Sequence, residues 1–275
     1  MKYDVLENYK AYLYQKLSKN TARKYYSCMV KLFKDKQFNS ISEVDKEFIK
    51  DGLLKVKGKN EFSAYKNGLL RMKDFYPELD LPKEKFFKQT SLKKRNRSKK
   101  PKKNIYMDQT LRKINGIRNK KLKLAYRLAL VSGLRVSELS YLEAADITLD
   151  ENITVNVRHG KGGSNGVVKC LPDPYLYKEI KAHKEKINPE DKLFYSEVYM
   201  REKADELGIE CHDLRRIHAI TYRNLLKKEM PIEEANAKVQ EQLRHKRFST
   251  TKRYLFNRKL IIKRTKGAKE EHESE

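Results

Sequence analysis

The C-terminal third of the chain gathers side chains that could work on a phosphodiester. His212, Asp213, Leu214 and Arg215 run together, His245 follows, and then come Thr250, Thr251 and Tyr254. Upstream, Gly133-Leu-Arg135-Val-Ser-Glu138-Leu and the turn Gly160-Lys161-Gly162-Gly163 add an arginine and a lysine. Together these supply two guanidiniums, an ammonium, two imidazoles and a phenol. Guanidiniums grip phosphate oxygens bidentately, imidazoles and ammonium groups move protons, and a phenol can act as a nucleophile. Metal-free attack on a phosphodiester is the chemistry this set suits.

Taken singly, each residue has a plainer reading. Arg135 after Gly133 also reads as a surface arginine where two helices connect, although Glu138 lies three residues on and could hold its guanidinium. Lys161 lies among glycines that strip bulk from a loop. It reads either as a basic hairpin turn or as a mobile general acid for a departing 5′ oxygen. His212 and Arg215 share one face at a helix start, where anions are favoured; a lone pair of this kind also occurs in any capped helix. His218 one turn on raises a metal reading, but no carboxylate or cysteine completes it, so no metal is expected. Tyr254 is one of 17 tyrosines, most of them expected in cores or grooves. Its register to His245 and its place beside Thr250 and Thr251 set it apart.

Periodicity supplies the elements that must hold these groups. A helix over roughly 3–17 precedes one begun at Asn20-Thr21, with Ala22, Tyr25, Met29 and Phe33 at helical spacing. Ser42 is placed to cap a third helix, and a fourth carries Phe62, Tyr65, Leu69, Met72 and Phe75 up to Tyr76-Pro77. A four-helix unit over residues 1–90 is therefore expected. Residues 91–104 contain almost nothing apolar and read as a linker. It is either a solvated tether or a basic strap, the strap being favoured by its basic flanks, with Lys93, Lys94, Arg95, Arg97, Lys99 and Lys100 on a phosphate backbone. Residues 105–275 form the second domain. There a helix over roughly 119–131 runs into Gly133, and a short helix starts at Val136. A hairpin pairs Ile153, Val155 and Val157 with Val167–Leu171 around the glycine-rich tip. Helices return near 175–187, 197–207, 213–229, 232–243 and 249–259. The expected fold is mainly α with a small β-hairpin.

Composition sets the partner class. The 275 residues carry a formal net charge of +26, spread along the whole chain, which favours a polyanion through counterion release. A membrane surface or an acidic protein would also attract it. Cys28, Cys170 and Cys211 are too widely spaced for a disulfide framework or zinc site and read as reduced thiols. No signal-like or membrane-spanning apolar run occurs, so a cytoplasmic, nucleoid-associated protein is expected.

The ordered set GLRVSEL, GKGG in a hairpin, HDLRR, LRH and STTKRY resembles the tyrosine recombinases, the phage-integrase family. The resemblance covers roughly 105–260, and more weakly residues 1–90 as a helical core-binding domain. It implies that Arg135 is the first clamp arginine, Glu138 its acidic support, Lys161 the hairpin lysine, His212 and Arg215 the HxxR pair, His245 the later His/Trp position, and Tyr254 the nucleophile. The family usually has Leu-Gly-His where this chain has Leu243-Arg244-His245, and Arg216-Ile217 replace a common His-Thr.

The resemblance further implies a 3′-phosphotyrosyl intermediate with no metal, ATP or other cofactor, and with His245 on the phosphate. Double-stranded DNA is the implied partner, with a homotetramer on two sites and room for an accessory DNA-bending or directionality protein. The segment Leu260-Ile261-Ile262 is a candidate for docking on a neighbour or folding back on its own domain. No arm-site domain is expected ahead of residues 1–90, a layout that is Xer-like or that of a minimal integrase. Integration or excision of a mobile element is favoured over Xer-like dimer resolution. A type IB topoisomerase and a non-catalytic basic DNA-binding protein are the other readings.

Overall fold

The computed structural model describes residues 3–34, 38, 40–94, 104–160 and 162–262. The chain divides into two compact units, residues 1–100 and 101–275. Arg95, Arg97, Lys99 and Lys100 of the expected strap, and Lys161 of the hairpin tip, lie outside the described residues.

In the first unit, α1 (Tyr3–Lys16), α2 (Lys19–Leu32), α3 (Lys46–Lys55) and α4 (Lys59–Phe75) correspond to the four expected helices. Their apolar stripes bury Tyr9, Leu13, Met29, Ile49, Leu53, Phe62, Leu69 and Met72 in one core. Inside it the Tyr9 hydroxyl donates to the Gly68 carbonyl at 2.7 Å. Helix α3 is capped by Asp45, which accepts from the Phe48 amide at 2.8 Å. The expected cap, Ser42, instead sits in a 3₁₀ turn, Ile41–Glu43. A fifth helix, α5 (Glu84–Lys93), was not legible in the sequence. It buries Phe87 and takes Ser91, Leu92 and Lys93 out of the expected linker. Lys93 and Lys94 thus end a helix instead of starting a strap, and Lys94 Nζ donates to the Leu54 carbonyl of its own unit at 2.8 Å.

The second unit opens with β1 (Ile105–Tyr106), α6 (Met107–Asn115) and α7 (Lys120–Ser132). Helix α7 is apolar nearly all round: Leu122, Leu124, Ala125, Tyr126, Leu128, Ala129 and Leu130 are all buried, as suits a central helix. The short α8 (Val136–Leu139) follows, then β2 (Ile147–Leu149), β3 (Ile153–Val157) and β4 (Gly166–Lys169) in one antiparallel sheet. The expected hairpin is β3–β4, with Val157 opposite Gly166. Strand β2 is too short to show a period of two. Then come α9 (Pro174–Lys184), α10 (Glu197–Glu206), α11 (Cys211–Leu226), α12 (Ile232–Gln242), α13 (Phe248–Phe256) and β5 (Leu260–Ile261). Strand β5 runs parallel to β1 of the same unit, pairing Ile105 with Leu260. Leu260 and Ile261 therefore fold back on their own domain here. The architecture is mainly α with small sheets, and among the described residues no helix is long and apolar enough to cross a membrane.

Gly133 ends α7 in the left-handed region at φ +70°, and a Cβ there would lie 2.5 Å from His218 Cδ2 and 3.0 Å from Leu243 Cδ2. Gly163 has nearly the same backbone, φ +72°, with nothing within 4 Å. Both Gly→Ala changes carry the left-handed strain of about 1–2 kcal/mol; Gly133→Ala adds overpacking of about 1–3 kcal/mol. Urea unfolding should therefore show Gly133→Ala as clearly the more destabilised variant. Equal losses would show that the packing around Gly133 is loose.

Candidate active site

Three helix ends converge beside α8. The C-termini of α7 and α12 point their last carbonyls at one spot, and Arg215 on α11 fills it. Arg215 is only 1% exposed. Its Nη1 donates to the Gly133 carbonyl, and its Nη2 donates to the Leu243 carbonyl at 2.5 Å. Gly133 and Leu243 are the C-caps of α7 and α12, so both acceptors lie at the negative ends of helices. The buried cation thereby regains part of the solvation it lost. Burial, followed by repulsion from Arg135, lowers its pKa to about 9, which leaves it charged at neutral pH.

Glu138, on α8, is the anion of the site and is 1% exposed. It accepts from the Arg135 amide at 2.8 Å, from Arg135 Nη1 at 2.6 Å and from Arg244 Nη2 at 2.7 Å. Arg215 Nη1 lies 3.8 Å away. Burial pushes its pKa up, but Arg244, the Arg135 amide, Arg215 and the Arg135 guanidinium together hold it below the usual carboxylate range. Three guanidiniums thus share one carboxylate, leaving an excess of positive charge suited to an anion.

His245 owes its position to the end of α12. The Arg244 amide donates to the Glu241 carbonyl at 2.7 Å and the His245 amide to the Gln240 carbonyl at 3.0 Å. These are the paired bonds of a Schellman cap. Arg244 occupies the left-handed position at φ +53°. His245 Nε2 faces Arg215 Nη2 at 3.2 Å. A guanidinium only donates, so Nε2 is the acceptor, and Nδ1–H donates to Thr251 Oγ1 at 2.9 Å. Burial, then Arg215, Arg135 and Arg244, lower its pKa to about 3. In this arrangement His245 orients Arg215. Its Nε2 is turned to the guanidinium, where the resemblance implied a contact to phosphate.

Helix α13 supplies both Thr251, which is fully buried, and Tyr254 one turn later. The Tyr254 ring centroid is 5.3 Å from that of His245 and 5.7 Å from Cζ of both Arg215 and Arg216. Its hydroxyl lies 3.4 Å from Nδ1 of His212, in the first turn of α11. Burial, with Arg216 and Arg201 nearby, lowers the His212 pKa below its usual value, so it is neutral and can accept a proton at neutral pH. Asp213 fixes the spacing of the two helices. It accepts from Arg216 Nη1 at 2.6 Å and from Arg258, just after α13, at 2.6 Å.

Arg135, Glu138, Arg215, His245, His212 and Tyr254 are therefore brought together. The tip carrying Lys161 belongs to the β3–β4 hairpin, where the Gly160 amide donates to Asn165 Oδ1 at 2.9 Å. The sequence reading missed the parts played by Arg244, Thr251, Asp213 and Arg258. The signal available for Arg244 was its place where the resembling sequences have glycine. Among the described residues no cluster of His, Cys, Asp and Glu could hold a metal ion.

Comparison with known proteins gives a consistent picture. The model of the phage integrase family matches residues 104–260. Lambda integrase (residues 75–356), solved as a dimer bound to a COC′ core site, is 17% identical with a TM-score of 0.63, over 94% of this chain and 96% of that one. The Tn1549 transposon integrase, solved with transposon right-end DNA, is 18% identical with a TM-score of 0.60, over 91% and 94%. A lambda integrase tetramer on a Holliday junction is 17% identical with a TM-score of 0.62, over 99% and 79%. At these identities the structures testify to the fold. No curated protein matches in sequence.

His212, His218 and His245 are all held below the ordinary histidine pKa of 6.5, the last two at about 3, with burial the leading cause. Above pH 6.5 both folded and unfolded chains carry them neutral. As pH falls below 6.5 the unfolded chain takes up protons that the folded chain refuses, so stability drops. The slope should approach about 1.4 kcal/mol per pH unit for each of His218 and His245. Urea unfolding at pH 7, 6 and 5 checks this, and constant stability across that window would show that these rings take up protons in the fold as readily as in the unfolded chain.

Proposed function

The chain belongs to the phage integrase family, the tyrosine recombinases, and it is a DNA strand transferase of site-specific recombination; from that premise we propose that Tyr254 is its nucleophile. Tyr254 Oη attacks the phosphorus of a DNA phosphodiester, and its proton passes to His212 Nδ1. The P–O5′ bond breaks, Lys161 protonates the departing 5′ oxygen, and a 3′-phosphotyrosyl link remains. Arg135 and Arg215 hold the non-bridging oxygens, where charge grows in the transition state. Glu138 and His245 keep those guanidiniums oriented. The broken bond's energy stays in the phosphotyrosine, so a 5′ hydroxyl of another strand can reverse the step without ATP or a metal.

The observation carrying this reading is the phenol of Tyr254, 3.4 Å from an imidazole held neutral and beside a buried guanidinium at 5.7 Å. The +26 net charge supports a double-stranded DNA substrate. The first unit, through α5, serves as the core-binding domain, and the basic sequence that follows Lys94 as a connection along the backbone. Two recombining sites would assemble four protomers, the arrangement solved for lambda integrase on a Holliday junction. Integration or excision of a mobile element is the favoured setting, with an accessory DNA-bending or directionality protein as a further partner.

Tyr254→Phe should abolish the covalent protein–DNA adduct on a nicked suicide duplex carrying a site that the wild-type protein cleaves. Undiminished adduct would falsify the assignment. Arg135→Ala should slow cleavage by about 10²–10³-fold with the helical content unchanged. A protein that relaxes any supercoiled plasmid regardless of site would instead be acting as a topoisomerase.

A further inference from the structure

Arg244 holds a backbone conformation that suits glycine. At φ +53° it is the positive-φ residue other than glycine among the described residues, and such a position costs an L side chain about 1–2 kcal/mol. Its side chain is 8% exposed. From the end of α12 it reaches in two directions. Nη2 donates to Glu138 Oε2 at 2.7 Å, and Nε donates to the Ser164 carbonyl in the β3–β4 loop at 3.1 Å. A Cβ placed on Gly166, where β4 begins, would touch its Cδ at 3.5 Å. Nη1 is buried with no partner among the described residues. One planar cation therefore joins the loop to the carboxylate that also orients Arg135.

That loop has strong reason to wander. Gly160, Gly162 and Gly163 lie in it, and glycine loses more conformational freedom on ordering than any other residue. We propose that Arg244 is a positioning residue, which seats the β3–β4 loop against Glu138 and so fixes the loop and the clamp arginine relative to one another. The consequence for cleavage rests on the reading of Lys161 as the acid for the leaving oxygen, since Lys161 lies in this loop's sequence between Gly160 and Ser164. Loss of the seat then acts chiefly on departure of the 5′ oxygen, while Arg135 and Arg215 still face the phosphate.

Substrates with a 5′-bridging sulfur separate the two. On them Tyr254 Oη bonds to phosphorus, the P–S bond breaks, and the thiolate leaves with the electron pair, needing no proton. Arg244→Gly relieves the backbone strain and so should fold, which circular dichroism checks. Its cleavage of the ordinary phosphodiester should fall by roughly 10- to 100-fold, the scale of a misplaced catalytic group. Sulfur should restore most of that loss, as general-acid help is no longer needed there. Arg244→Lys, a point charge without the fork, should behave like the glycine variant. Lys161→Ala is run on the same pair of substrates. If it is not rescued by sulfur, the reading of Lys161 as the acid fails. If it is rescued and Arg244→Gly is not, the proposal is overturned, because Arg244 then acts on the phosphate. Hydrogen exchange of the amides of residues 162–166 decides the seating itself: faster exchange in Arg244→Gly is expected, and unchanged exchange overturns the proposal whatever Lys161 does.

Discussion

The site is built around a guanidinium that has been taken out of water. A buried cation without partners costs several kcal/mol, and Arg215 is tolerable only because two helices end against it and one carboxylate stands close by. That demand fixes much of the second unit. Helix α7 must stop at Gly133, whose missing Cβ leaves room for His218 and Leu243. Helix α12 must stop at Leu243, and α11 must lie between them to present Arg215. The residue proposed to carry charge to the substrate thus also determines where two helices end and where a third must lie.

The electrostatics follow from the same arrangement. Glu138 is shared by three cations and cannot neutralise them all, so the site keeps an excess of positive charge. The nearby imidazoles respond in the one direction available to them, toward the neutral form. One neutral ring then serves as a proton acceptor beside the phenol, and the other as a hydrogen-bond acceptor for the guanidinium. Two histidines with similar surroundings differ in role because of what faces each nitrogen.

The residues that could carry chemistry were legible in the sequence, since few side-chain types suit a phosphodiester and their local spacings survive folding. His212 with Arg215, and Arg135 with Glu138, are each three residues apart on a helix or its cap, and that geometry is intrinsic. The long amphipathic helices were legible for the same reason. What escaped depends on tertiary contacts. Strand β2 has three residues and no room for a period, and α5 owes its place to Phe87 finding a core. The carbonyls that hold Arg215 leave no mark on side-chain pattern at all. Arg244 was visible as an unusual residue, but its meaning came from a left-handed dihedral angle and from Ser164, eighty positions away.

Helix α13 carries Thr251 and Tyr254 on neighbouring turns, and Thr251 accepts from the Nδ1–H of His245. The nucleophile and the tether of the ring that steadies Arg215 are therefore one rigid body. If α13 swings away, the phenol departs, His245 is free to rotate, and the guanidinium loses a partner in the same movement. Through the bond from His245 to Thr251, the proposed nucleophile and the proposed phosphate grip are thus mechanically coupled by one helix.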